Sequence, residues 1–202
     1  MTGGGEVWVG ADPGGDGNFG VAILTDDQVS GSSAVNCADE AIAFVRARLD
    51  RAPAGVGVDA PLWWSSGRSG GRASDAWLRR RYGLSGGEVQ AANSLRGAAL
   101  VQGVMFVQRI RELFPAVPVT ESHPKAVLKV LTRGDWEAFT RRFGVKVAVA
   151  TEHERDAIIA AISAREGFRG RWPHDLTTKR LPAEQDPGSY WLAPVHYFWP
   201  ET

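Results

Sequence analysis

Val7-Trp8-Val9-Gly10-Ala11-Asp12-Pro13-Gly14-Gly15, followed by Phe19-Gly20-Val21-Ala22-Ile23-Leu24, is the stretch on which the fold turns. Val7 and Val9 are β-branched and Trp8 is large and apolar, the composition of a strand buried on both faces, while Gly10 marks a close backbone approach. Pro13 and the glycines force a turn. Phe19 to Leu24 is apolar again, so the segment predicts a hairpin that holds Asp12 at a strand end, pointing at whatever binds there. An Asp that only organises the turn is the alternative, because Asp-Pro-Gly is common turn chemistry.

The pattern repeats along the chain. Val56-Gly57-Val58-Asp59-Ala60-Pro61 is a short β-branched strand that ends on Asp59 before a proline. Val117-Pro118-Val119-Thr120-Glu121 ends on Glu121, and His123-Pro124 breaks it. A fourth acid lies on a helix. Thr151 is a plausible N-cap with Glu154 three residues on, the capping-box spacing. His153 and Asp156 share a face of that helix, and Ala157, Ala160, Ala161 and Ala164 form a small-residue stripe suited to close packing on a sheet.

Between these landmarks the chain reads β-β-β-α-β, then helices, then β-α-α-α and a tail. Val29 to Val35 is the expected third strand, and Ala38 to Leu49 a helix with Ile42, Val45 and Leu49 at helical spacing. Lys125 to Leu131 and Trp136 to Phe143 read as two further helices separated by Gly134.

Val9-Gly10-Ala11-Asp12-Pro13-Gly14 with Gly20-Val21-Ala22 resembles the first strand and hairpin of RuvC-type resolvases, in the ribonuclease H-like superfamily. Asp156-Ala157 with Ala160-Ala161 resembles their final catalytic helix. Val58-Asp59-Ala60-Pro61-Leu62, Arg72-Ala73-Ser74-Asp75 with Arg79, Glu121-Ser122-His123-Pro124 and His153-Glu154-Arg155-Asp156-Ala157 are more closely similar to domain-of-unknown-function family 429. That family is described as predicted nucleases with a ribonuclease H-like fold. Resolvases carry Glu where Asp59 stands, and neither Glu121 nor the long insert after Asp59 has a clear counterpart in them.

The resemblance implies an α/β fold with a ribonuclease H-like mixed sheet, its first three strands antiparallel and the later ones parallel, flanked by helices. The corresponding division is a domain over 1–166 with a basic helical insert at about 62–114, and an aromatic, proline-rich tail over 167–202. Trp172, Tyr190, Trp191, Tyr197, Phe198 and Trp199 make the tail costly to leave in water, so it is expected to wrap the domain or to pack in a homodimer.

Composition agrees with one globular domain. The hydrophobic share is 44%, the formal net charge +0, and no apolar run is long enough to span a bilayer. The glycine-rich start lacks a basic, apolar leader, so a cytoplasmic address is expected. The single cysteine, Cys37, rules out an internal disulfide, and no Cys/His set has zinc-ligand spacing.

Charge is nevertheless segregated. Residues 60–114 hold eight arginines (68, 72, 79, 80, 81, 96, 109 and 111) against Asp75, Glu88 and Glu112. Arg68, Arg72, Arg79 and Arg80, with Trp63 and His123, are the expected contacts to a phosphate backbone and stacked bases; a solvated helix face over packed aromatics is the bland alternative. Trp63 to Arg72 is glycine-rich and reads as a mobile loop.

Asp12, Asp59, Glu121 and Asp156 are expected to converge at one end of the sheet. Crowded carboxylates raise one another's pKa unless a cation intervenes. Oxygen-only ligands suit Mg²⁺ or Mn²⁺, and a two-metal carboxylate site hydrolyses phosphodiesters. His153 or His123 would orient water or carry a proton. The expected function is therefore a metal-dependent nuclease acting on DNA or RNA, as a monomer or homodimer. Three other readings stay open: a non-catalytic binding protein whose acids are satisfied by arginines, a protein using Arg68 and Arg72 for a small phosphorylated ligand, and an actin-like or sugar-kinase phosphotransferase. The last needs two such domains around a cleft, and this chain has room for one.

Overall fold

The computed structural model describes residues 5–65, 71–91, 97–180, 184 and 192–201. β1 (Val7–Asp12), β2 (Phe19–Thr25) and β3 (Gln28–Val35) form an antiparallel meander. α1 (Ala38–Arg46) leads to β4 (Gly55–Val58), which pairs in parallel with β1. The insert carries α2 (Ala73–Tyr82) and α3 (Gly97–Leu113), and β5 (Val119–Glu121) then pairs in parallel with β4. α4 (Pro124–Thr132), α5 (Trp136–Phe143) and α6 (Glu152–Phe168) follow, and β6 (His174–Asp175) pairs with β7 (Phe198–Trp199). The result is mixed α/β: a five-stranded sheet in the order β3-β2-β1-β4-β5, with antiparallel and parallel pairs, flanked by helices.

β1 and β4 are buried on both faces, as their apolar composition requires, whereas β3, with its alternating serines, is the half-exposed edge. α6 crosses the sheet at backbone contact distance. A Cβ on Gly10 would stand 1.9 Å from the Ala157 carbonyl oxygen, and one on Gly57 1.9 Å from that of Ala160. Only glycine in the strands and alanine on the helix allow this approach. The N-terminus of α6 is fixed by the Thr151 hydroxyl, which accepts from the Glu154 N–H at 3.2 Å, an N-cap worth about 1 kcal/mol. α3 packs elsewhere, its Gly103 close against Ala60 and Pro13.

Side-chain alternation now assigns the strand ends to faces. Asp12 lies two residues after Gly10, and Asp59 two after Gly57, so both share the α6 face. Glu121 is registered with Val58, not with Gly57, and so belongs to the opposite face. Ser122, the next residue, points to α6 and meets Ser163 at 3.0 Å.

The described part of the tail folds back on the far edge of the sheet. The His196 N–H donates to the Val119 carbonyl at 2.9 Å and the Glu121 N–H donates to the His196 carbonyl at 2.8 Å, which covers the open side of β5. Arg111 holds the approach to this segment by donating to the Leu192 carbonyl at 2.9 Å. Tyr197 and Trp199 are fully buried there. Among the described residues no helix is long and apolar enough to cross a membrane.

Candidate active site

Three of the four expected acids meet at one place. Asp12 closes β1, Asp59 follows β4, and Asp156 sits in the second turn of α6; the Asp59 N–H donates to the Ala11 carbonyl at 2.8 Å, which carries the parallel ladder up to the acids. His153 reaches across from α6, its Nδ1 2.7 Å from Asp12 Oδ2. Asp156 is 1% exposed and bonded to the Arg155 guanidinium at 2.8 Å. Asp59 differs from both. Its carboxylate makes no hydrogen bond among the described residues.

The electrostatics follow from this crowding. Burial pushes Asp59 well above the usual carboxylate range, and the charges of Asp12 and Asp156 push it further. Burial, with Asp12 beside it, takes Asp156 up to about 6 against the pull of Arg155. Burial also raises Asp12, although His153 opposes it. His153 is raised in turn, first by its hydrogen bond to Asp12.

Lys125 joins the site from outside the expected set. It is the second residue of α4, half-exposed, with Nζ 3.8 Å from Glu152 Oε2, and its charge lowers all three carboxyls. A lysine in the first turn faces the positive end of the helix dipole, an unfavourable place. That misplacement in His123-Pro124-Lys125 is the signal that sequence carries for it.

Glu121 turns to the opposite face instead of converging with the other three, which corrects the expectation of four converging acids, although its charge still reaches Asp59 and raises it. It is fully buried on the other face, where Arg72 donates to it through Nη1 at 2.8 Å and Nη2 at 2.5 Å, and Arg72 also grips Asp75 through Nε at 2.8 Å and Nη2 at 2.7 Å. The Leu62 N–H donates to Glu121 at 2.9 Å, and His123 Nε2 lies 3.2 Å from it. Burial alone would raise Glu121, but Arg72 outweighs it and holds the carboxyl at about 2. Asp75, Glu121 and His123 bring ligand-type atoms within 4.8 Å of one another. The Arg72 guanidinium already supplies the positive charge those carboxylates need.

The expected substrate contacts are corrected in the same way. Arg72 is 1% exposed and Trp63 is fully buried, the guanidinium lying 4.3 Å from the Trp63 ring centroid, so neither offers a surface to nucleic acid. His123 is 8% exposed. Arg79 is half-buried and donates to the Val89 carbonyl at 2.8 Å, while Arg80 and Arg81 are exposed at the end of α2. Arg68, and residues 66–70 of the expected mobile loop, lie outside the described residues.

Glu184 is a further residue that sequence reasoning missed. It is 1% exposed and accepts from the Ala73 N–H at 2.8 Å, thereby capping α2 from the tail.

No protein-family model matches this chain, and neither the curated proteins nor the solved structures compared with it give a match.

Proposed function

We propose that the chain is a divalent-metal-dependent nuclease of ribonuclease H-like fold, akin to the family 429 proteins its motifs resemble, with Asp12, Asp59 and Asp156 as its metal-binding acids. The observation that carries this reading is the Asp59 carboxylate, which has no hydrogen-bonding partner among the described residues and stands beside two other carboxylates. An anion so placed is destabilised unless a cation joins it. Three carboxylates without sulfur or a closed imidazole set fit the hard ions Mg²⁺ and Mn²⁺. What such an ion adds when bound is Lewis acidity toward a phosphoryl oxygen and toward water. The strand order β3-β2-β1-β4-β5, antiparallel on one side and parallel on the other, supports the finer fold assignment.

The remaining chemistry belongs to side chains. His153, fixed by Asp12 through Nδ1, keeps Nε2 to give a proton to a leaving oxygen, and its raised pKa favours the protonated form that this role needs. Lys125 places an ammonium on the rim of the acid group, where it attracts the scissile phosphate and offsets its charge. Arg155 holds Asp156 in place. The same ion pairs favour one competing reading, a binding protein whose acids are structural.

A melting series separates the two. Asp156 is raised from 3.8 to about 6, so its stabilising contribution is complete below about 4 and is lost as pH rises through 6. The raised Asp12, Asp59 and His153 act in the same direction. Metal-free protein should therefore lose stability as pH rises from about 3 to about 7, by roughly 3 kcal/mol through Asp156 alone. Asp156→Asn should flatten that dependence, and Asp59→Asn should melt no lower than wild type at pH 8. Added Mn²⁺ should stabilise wild type by about 2.7 kcal/mol at a hundredfold excess over Kd, and the variants much less. If both substitutions destabilise the metal-free protein and Mn²⁺ shifts no curve, the acids are structural.

A narrower nucleic-acid surface follows from the placement of the arginines. Replacing Arg80 and Arg81 together by Gln should lower affinity for an oligonucleotide and reduce the salt slope by about one unit for each phosphate that is no longer neutralised. An unchanged slope in a salt titration would move the surface away from α2.

A further inference from the structure

Near its C-terminal end α6 carries Arg165 and Glu166, the chain beyond it carries Arg169, Arg171 and Trp172, and α5 ends with Arg142 and Phe143. These residues border a cleft of about 440 Å³, within the range of small-molecule sites. It lies roughly 15–20 Å along α6 from Asp156, counting 1.5 Å per residue, and takes no part in the acid group.

Three of the four guanidiniums are fixed by carboxylates. Arg165, with a side chain 2% exposed, holds Asp27 at 2.9 Å and Glu166 at 2.8 Å. Arg169 holds Glu6 at 2.7 Å and Asp27 at 3.4 Å. Arg171 bonds Glu166 through Nε at 2.5 Å and Nη2 at 2.7 Å, which leaves its Nη1 without a hydrogen bond among the described residues. Arg142 is exposed and makes no hydrogen bond or ion pair among the described residues; it lies 5.9 Å from the Phe143 ring centroid. Asp27 and Glu166 are thus engaged already. Glu201 is the remaining carboxylate of the lining, against two arginines with donors to spare. The last carbonyls of α6 do not compete for those donors, because the Gly170, Arg171 and Trp172 N–H groups already bond them.

We propose that this cleft, lined by both Arg142 and Arg171, binds a small dianion of the phosphate-monoester class. Two guanidiniums arriving from separate elements match a tetrahedral dianion, each able to donate two hydrogen bonds to it, whereas a single carboxylate would engage one. Phe143, half-buried and edge-on to the buried Trp172 at 6.4 Å between centroids, gives the organic part of an ester an apolar flank.

The test is calorimetric titration of the full metal-free chain with inorganic phosphate, with phenyl phosphate and with acetate. Saturable binding of phosphate and phenyl phosphate, with acetate much weaker, is expected. Arg142→Gln/Arg171→Gln should weaken the phosphate at least about tenfold, and Asp12→Asn should leave it unchanged. Arg142→Gln alone, at an exposed position outside any ion pair among the described residues, keeps the test valid if the double variant does not fold; it too should lower affinity. The proposal is overturned by absence of saturable binding at millimolar phosphate, by equal binding of acetate, by full affinity in the folded arginine variants, or by loss of binding in Asp12→Asn, which would place the anion at the acid group. Apart from the last, these outcomes are independent of whether the acid group cleaves nucleic acid.

Discussion

Asp12→Asn is expected to abolish Mg²⁺- or Mn²⁺-dependent cleavage across a panel of single-stranded and duplex DNA and RNA, while the protein remains folded. Asp12 has two roles at once, as one of the three clustered carboxylates and as the group that holds His153 at 2.7 Å. Substitution by Asn removes the negative charge a cation needs. It also removes the largest cause of the raised His153 pKa, leaving only the charges of Glu152 and Asp156 to raise it. Loss of a positioned acid–base group alone lowers rates roughly 10²–10⁴-fold, so His153→Ala should fall in that range and Asp12→Asn at or below it. Folding should survive, because the metal-free acids repel one another and Asn relieves that repulsion. Cleavage that persists in EDTA, or undiminished in Asp12→Asn, would sink the metal-dependent reading, and the same variant controls for contaminating nucleases.

How much of this is legible in the sequence depends on which period the residues obey. The hairpin around Asp12, the short strand from Val56 that runs up to Asp59, and the capped helix from Thr151 are local patterns, and each is present in the fold. That acids stand at three strand ends can likewise be read directly. Which face each acid takes cannot, because a strand reverses its side chains at every residue and the register between strands is a tertiary fact. Glu121 is displaced from the group by one residue of register, with Ser122 in the place that faces α6.

The insert resists sequence reading for a related reason. Arginine and tryptophan side by side suit a nucleic-acid surface, and they suit a buried cation stacked on an indole equally well. What decides is the carboxylate partners. Asp75 lies three residues from Arg72, close enough to be suspected from spacing. Glu121 lies 49 residues away and becomes adjacent only through the fold. Lys125 resembles an ordinary helix cation, although its place at the N-terminal end speaks against that.

Arg72→Met is expected to destabilise the protein more than any surface substitution, and its size tests the corrected role of Glu121. The guanidinium stands between two carboxylates, Asp75 and Glu121, both with side chains fully removed from solvent. Removing one partner of a buried pair leaves an uncompensated charge, at a cost of about 3–5 kcal/mol. For a chain of this size that lowers Tm by roughly 6–20 °C. Arg72→Lys should rescue only part, because a point charge cannot donate in parallel to both carboxylates. Arg72→Met combined with Asp75→Asn and Glu121→Gln should recover stability, since the stranded charges are then gone. The acid limb carries the same signature with its own sign. Glu121 is held at about 2 against a usual 4.5, so its contribution is complete above about 4.5 and is lost as pH falls toward 2. In Arg72→Met that loss should vanish, and protonating Glu121 should instead relieve the variant. If Arg72→Met melts within about 1 kcal/mol of wild type, as a solvent-facing residue would, the network is not what holds the insert to the sheet, and Glu121 is again free to serve as a ligand beside Asp59.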